Sequence, residues 1–204
     1  MKEVERRVLQ LSYENKLSHI GSSLGVARLL EEIYQIKKPE DIIVLDEAHG
    51  ALGYYALLEK YEGQDAQALL DKHGVHQNRD EQAGIHVSGG SLGLAGSISL
   101  GLAIANETRN VYCVTSDGAL MEGIWFEILR LKADLQVNNL RIFVNANGWS
   151  AYGSVNVDKL EERVHSFCPD VIVRRTNSDT SFSQGLESHY KMMTKEDYKK
   201  INAN

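Results

Sequence analysis

The chain has only two cysteines and two prolines in 204 residues, and no long uninterrupted apolar run. Its longest apolar stretches are broken by Gly, Ser and Asn, so no transmembrane span is expected. The two cysteines, Cys113 and Cys168, lack the spacing of metal ligands and fit reduced thiols in a cytoplasmic protein. Excess positive charge is also missing: 22 Lys and Arg stand against 28 Asp and Glu. With no basic stripe, nucleic acid is not an expected partner. The first residues, Met-Lys-Glu-Val-Glu-Arg-Arg, carry acids and lack the apolar centre of a signal peptide. Repeats, low-complexity tracts and linkers are absent, and the length suits one α/β domain with a short tail.

What is present reads as alternating helices and strands. Val4 to Lys16 carries a rough helical stripe, and Ser22 or Ser23 is a candidate cap for a helix over Leu24 to Ile36, closed by Pro39. Ile42 to Leu45 is a short buried strand ending at Asp46, and helices are expected at Gly50 to Tyr61 and Gln64 to Lys72. The glycine-dense stretch Gly84 to Gly96 leads into the small apolar run Ile98 to Ala105, which predicts a tightly packed central helix. Val171 to Arg174 is a final strand behind Pro169, and the polar tail holds a short helix at Lys195 to Ile201.

Asp117 and Asn147 are the most informative pair. Each closes an apolar run at a glycine turn, Val111-Tyr-Cys-Val-Thr-Ser-Asp-Gly118 and Leu140-Arg-Ile-Phe-Val-Asn-Ala-Asn-Gly148. Between them Leu120 to Val137 has helical composition, so the segment reads strand, helix, strand with a right-handed parallel crossover. Both side chains then sit at the carboxyl edge of one sheet, where open α/β sheets bind ligands. Two oxygen donors beside a helix N-terminus, with a backbone carbonyl near Trp149, suit magnesium holding a phosphate-rich cofactor. Alternatively, Asp117-Gly118 is an ordinary turn, and Asn145 and Asn147 are loop formers that tolerate left-handed torsions.

His19, His49, His76, His86 and His189 all fall in or near predicted loops. No pair has zinc-ligand spacing, and sequence position cannot gather them into one site. A single loop histidine is more often a surface residue than a catalytic one. Glu122 lies on the expected first helical turn after Asp117-Gly118, where the helix dipole alone accounts for it. Met121, Trp125 and Ile128 are most simply core residues of that helix.

Taken together, these segments resemble the thiamine-diphosphate-binding N-terminal domain of transketolase. That family carries Gly-His-Pro-Gly, Gly-His-Ala, Thr-Gly-Ser-Leu-Gly-Gln-Gly, Gly-Asp-Gly followed by Glu-Gly-x-x-Trp-Glu, and Asp-x-Asn. In the same order this chain has Ser18-His-Ile-Gly-Ser-Ser-Leu-Gly25, Glu47-Ala-His-Gly50, Ser88-Gly-Gly-Ser-Leu-Gly93, Ser116-Asp-Gly-Ala-Leu-Met-Glu-Gly-Ile-Trp-Phe-Glu127 and Val144-Asn-Ala-Asn-Gly148. The tail Ser188-His-Tyr-Lys-Met-Met-Thr-Lys-Glu-Asp-Tyr198 is similar to the end of the family's domain. Departures are Ser116 for the first Gly of Gly-Asp-Gly, Leu94 and Ala95 for Gln-Gly, Ile20 for Pro, and a compressed segment between Gly153 and Pro169.

The resemblance implies a doubly wound α/β fold, a mostly parallel sheet flanked by helices, with residues 1–175 as the cofactor domain and 176–204 as a tail packed on it. It implies metal binding by the side chains of Asp117 and Asn147 and the carbonyl of Trp149, with magnesium, or calcium or manganese, as the ion. Gly118 and Ala119 would meet the diphosphate, and His49 and His189 would approach it and the reaction centre. His19 and His76 would face the sugar hydroxyls and help move protons. Ser91 and Leu92 would lie near the cofactor rings, and Glu122 would join a carboxylate network between paired active sites. The family's pyrimidine-binding domain, which activates the cofactor and binds sugar phosphate, is not found in this sequence. A separate chain is therefore expected to supply it, in an α2β2 assembly that transfers a two-carbon ketol unit between sugars, this chain being inactive alone. A thiamine-dependent decarboxylase or acyloin-forming enzyme, and a non-catalytic regulatory scaffold subunit, remain open alternatives.

Overall fold

A computed structural model describes residues 1–177 and 179–202. Ser178, Ala203 and Asn204, all within the expected tail, lie outside the described residues. Four parallel strands, β1 (Ile42–Leu45), β2 (Val111–Ser116), β3 (Leu140–Ala146) and β6 (Ile172–Arg175), form a sheet in the order β1-β2-β3-β6. The register pairs Val44 with Cys113 and Cys113 with Ile142. Alternate side chains point to opposite faces. Ile43, Leu45, Tyr112, Val114 and Phe143 therefore join α1 (Glu3–Glu14), α2 (Ile20–Tyr34), α3 (Ala51–Glu62) and α4 (Ala66–His73) in one core. Ile42, Val44, Cys113, Ile142 and Val144 face α5 (Leu94–Ala105), α6 (Ile124–Asp134) and α7 (Val157–Phe167) in a second. The expected parallel sheet with helices on both faces is what forms. The compressed segment holds β5 (Gly153–Ser154), which pairs with β4 (Trp149–Ser150) just before it, and α7. In the tail, α8 (Glu187–Tyr190) packs on α2 and α9 (Lys195–Asn202) on α1. Among the described residues no helix is long and apolar enough to cross a membrane.

Three expectations need correction. α2 starts at Ile20, four residues early, so Ser22 and Ser23 are buried inside the helix rather than capping it. The reason is close packing: a Cβ on Gly53 would collide with the Ser23 carbonyl oxygen and lie 2.9 Å from the Ala27 nitrogen. Small residues on α2 and α3 let the two backbones meet. Gly53→Ala is therefore expected to cost about 1–3 kcal/mol through overpacking, read as a lowered urea midpoint with an unchanged m-value. The expected helix from Leu120 to Val137 divides into a 3-10 turn at Ala119–Met121 and α6, ending before Gln136 in left-handed torsions. Glu122 is consequently an extended residue before α6, not part of its first turn, and Met121 is 48% exposed, while Trp125 and Ile128 are core. Finally, α5 begins at Leu94 and buries only one face. Gly96 admits the Trp125 ring, but Leu94, Ile98 and Ile104 are about half exposed.

Candidate active site

Because the strands are parallel, the residues that end β1, β2 and β3 emerge on one edge. There a cavity of about 220 Å³ is lined by His19, His49, His76, His189, Leu92, Gly118, Asn147 and Trp149, with Tyr190 and Ser150 beside them. Four histidines separated by up to 170 positions thus converge, which no spacing in the sequence could show. His49 follows β1 in a 3-10 turn, and His19 caps α2 with φ 58°, its N–H donated to the His189 carbonyl at 2.9 Å. The His19 and His49 ring centroids are 5.3 Å apart, and His19 and His189 6.1 Å. His189 is fixed by a 3.3 Å contact between its Nδ1 and the Ser22 hydroxyl, which explains why that serine is buried.

Asp117 is fully buried at the end of β2, directly behind Gly118. Its carboxylate accepts the Gly118 N–H at 3.0 Å and the Gly148 N–H at 2.5 Å. The Asn147 amide oxygen accepts the Trp149 N–H at 2.9 Å. A Cβ on Gly118 would stand 3.3 Å from the Trp149 carbonyl oxygen, so that carbonyl lies across from the Asp-Gly turn. Ala119 is buried beneath this turn. Ser91 is exposed, Glu122 is half-buried and takes a 3.3 Å hydrogen bond from the Tyr152 hydroxyl, and neither lines the cavity. His86 is elsewhere, in a groove with Arg79, Glu81 and Arg109.

Burial, then the neighbouring rings of His189 and His76, pushes the His19 imidazole down to about 4. Burial, then His19, His189 and His76, pushes His49 down to about 3. Burial also lowers His189. These three imidazoles are neutral near pH 7. Asp117 moves the other way, up to about 6, because burial outweighs its backbone hydrogen bonds. The His19 Nδ1 and His189 Nε2 atoms are buried without a hydrogen-bond partner among the described residues. Ring nitrogens waiting for a partner, beside a carboxylate that resists ionisation, fit an anionic guest accompanied by a cation. The grouping of three His, Cys, Asp or Glu side chains typical of a protein-only metal cage is absent among the described residues. The expected set does not need one, since it has a single carboxylate, an amide oxygen and a carbonyl, and magnesium keeps substrate phosphates in its shell.

These lowered values have a definite sign. A histidine less basic in the folded chain stabilises the fold fully above its unfolded value near 6.5 and loses that contribution as pH falls toward 4. The raised Asp117 and Glu47 carboxyls act in the opposite sense over the same range, so the expectation is for a difference. Between pH 7 and 4 the thermal midpoint of wild type falls relative to that of His19→Asn, and relative to that of wild type with pyrophosphate, read by a melting series.

Two residues were missed by the sequence reading. Asp46 is fully buried and accepts hydrogen bonds from the Gly93 N–H at 2.9 Å, the Thr115 hydroxyl at 2.9 Å and the Trp125 indole at 3.0 Å. Glu47 is fully buried, accepts from the Asn145 amide at 3.1 Å, and is held well above the usual carboxylate range by burial, then by Asp117 and Asp46. Its 3.8 Å approach to His49 therefore joins two neutral groups rather than an ion pair. The available signal was an Asp-Glu pair directly after an apolar strand.

A parallel sheet presenting a glycine turn, an Asp-Asn pair and clustered histidines at its carboxyl edge defines a transketolase-like, thiamine diphosphate-dependent N-terminal domain. The chain belongs to the family described as 1-deoxy-D-xylulose-5-phosphate synthase, whose family model matches residues 1–203. A 1-deoxy-D-xylulose-5-phosphate synthase of Fusobacterium nucleatum is 30% identical over 151 residues, covering 72% of this chain and 25% of that protein. An apulose-4-phosphate transketolase subunit of Actinobacillus succinogenes is 27% identical over 212 residues, covering 92% of this chain and 77% of that protein. A transketolase structure from Leishmania mexicana superposes with a TM-score of 0.71 at 22% identity, over 80% of this chain and 30% of that one, a likeness of fold. The chain thus spans about a quarter of the Fusobacterium synthase and most of the Actinobacillus protein.

Proposed function

We propose that this chain is the diphosphate- and metal-binding subunit of a two-chain transketolase-like enzyme that transfers a two-carbon ketol unit between sugars or sugar phosphates. The observation that carries the reading is the convergence of His19, His49, His76 and His189 on Gly118, Asn147 and Trp149 in one cavity. Residues 1–175 are the cofactor domain, and the segment after them is a tail that brings His189 back to it. Asp117, Asn147 and the Trp149 carbonyl hold magnesium. Gly118, Ala119, His49 and His189 hold the diphosphate, with Leu92 against the cofactor rings. When bound, thiamine diphosphate supplies the carbanion chemistry, and the protein positions it. His19 and His76 exchange protons with the sugar hydroxyls. The neutral His19 imidazole has its Nδ1 without a partner, open to a proton exchange with a hydroxyl.

A separate pyrimidine-domain chain completes the site, two copies of each, in the cytoplasm. The coverage of a relative that is itself named as one subunit of a transketolase supports this division. Glu122, half-buried beside exposed Met121 and Ile124, meets its counterpart in such an assembly. A second reading, an acyloin-forming or decarboxylating subunit, is favoured by the family description, whose product is a 1-deoxyketose.

Calorimetry of the chain with its partner, magnesium and thiamine diphosphate tests the reading. Saturable binding supports it, whereas no binding leaves only a scaffold. Assay of the loaded pair then separates the reactions: ketol transfer from a ketose phosphate supports the first, and carbon dioxide release from a 2-oxo acid the second.

A further inference from the structure

A line of hydrogen bonds runs along the carboxyl edge of the sheet toward the histidines. Just past β6, the Thr176 hydroxyl donates to the Asn145 amide oxygen on β3 at 2.6 Å. The Asn145 amide N–H donates in turn to Oε2 of Glu47, just past β1, at 3.1 Å. The same Oε2 stands 3.8 Å from Nε2 of His49, which lines the cavity. Asn145 and Glu47 are fully buried, so the line joins three strand ends to one ring of the site from inside the protein.

Asn145 is held in this line from both sides. Its backbone pairs with Ser116 in the β2–β3 register, and its carbonyl accepts the Asp117 N–H at 3.2 Å. On the α2 side, a Cβ on Gly25 would stand 2.6 Å from both the oxygen and the nitrogen of its amide, so the helix backbone rests on that group. Glu47 is less well served. Its Oε1 has no hydrogen-bond partner among the described residues, although the side chain is fully buried. A buried carboxyl with one hydrogen bond costs free energy that an apolar side chain of the same size would not, and such a group calls for a role. The imidazole 3.8 Å away supplies one. Burial keeps both groups neutral, so a bond between them is a hydrogen bond and not an ion pair.

We propose that Glu47 is a positioning residue for His49: its carboxyl bonds the Nε2 edge of the ring, fixes a single tautomer and leaves Nδ1 to the guest. In a neutral imidazole one nitrogen donates and the other accepts, and the partner of one decides the role of the other. Bringing 3.8 Å to hydrogen-bond length takes a movement of about 1 Å or less, and such contacts tighten when a ligand binds. The identity of the guest, the diphosphate of the cofactor, rests on the function proposed above; the link between Glu47 and His49 does not. Glu47 does not line the cavity and acts only through the ring.

The test is nitrogen-15 nuclear magnetic resonance of the histidine rings in the full chain, alone and with magnesium pyrophosphate. Wild type is expected to hold His49 in a single tautomer. Glu47→Gln, which keeps a donor and an acceptor, should hold it too. Glu47→Met has a similar size and neither group. Its His49 ring shifts should average between tautomers, and it should bind magnesium pyrophosphate about tenfold more weakly, the worth of one hydrogen bond. Thr176→Val leaves Glu47 in place and releases Asn145, so it should move the His49 shifts the same way by less, and it decides the matter even where Glu47→Met does not fold. An averaged His49 ring in wild type, or a ring unchanged in the folded variants, would overturn the positioning role. A Glu47-dependent tautomer in a wild-type chain that binds neither pyrophosphate nor thiamine diphosphate would instead strike the proposed function and keep that role.

Discussion

Asp117→Asn is expected to lower affinity for thiamine diphosphate with magnesium by at least about 100-fold while the cofactor-free chain keeps its melting temperature within about 4 °C. A metal site's outer partners alone cost up to about 100-fold when removed, so loss of the only carboxylate in the proposed metal set makes that figure a floor. The small stability change follows from two opposing effects. Burial raises the Asp117 carboxyl from 3.8 to about 6, so at pH 7.5 the folded chain carries an ionised group it disfavours, by an order of about 3 kcal/mol. The sign follows: an acid raised on folding stabilises most below pH 3.8 and loses that contribution as pH climbs through 6. Asparagine removes the charge but keeps one acceptor for two backbone N–H groups, Gly118 and Gly148, at a cost of about 1–3 kcal/mol. Calorimetry and melting of one preparation check both halves. Unchanged cofactor affinity would remove the metal role from Asp117.

Asp46→Ala is the larger disruption of the fold, expected to cost about 3–5 kcal/mol by leaving three buried donors without an acceptor. For a chain of this size that is a fall of roughly 10–15 °C in melting temperature. The three donors belong to different elements: Gly93 in the glycine-rich loop, Thr115 on β2 and Trp125 on α6. One carboxylate at the end of β1 thus fastens the loop that carries Leu92 to the sheet and to the crossover helix. Cofactor affinity should fall with stability, because Leu92 lines the cavity. A melting temperature within 3 °C of wild type would show that the loop is held by its apolar contacts instead.

The Asp117 and Asn147 placement was legible because strand periodicity and a glycine turn mark where each chain segment leaves a sheet, and parallel pairing then sets both ends on one edge. The start of α2 was not. Glycine and serine look like a break locally, yet here they are the small face on which α3 rests. Glu122 was misplaced by two residues of helix, enough to move it out of the first turn. Ser91 and Leu92 are adjacent in sequence, but only Leu92 reaches the cavity, a difference set by the loop's torsions. Asp46 showed itself only as the end of a strand and Glu47 only as the first letter of a short motif, since their hydrogen-bond partners lie 47 to 98 residues away.

By itself, then, the sequence determined the α/β alternation, the strand ends that carry Asp117 and Asn147, and the family. Those features depend on local periodicity, turn chemistry and short motifs. The tertiary structure alone decided which histidines meet and that three of them are neutral. Burial and proximity between distant loops exist only once the sheet and its two helical layers have closed, and they set the basicity of those rings.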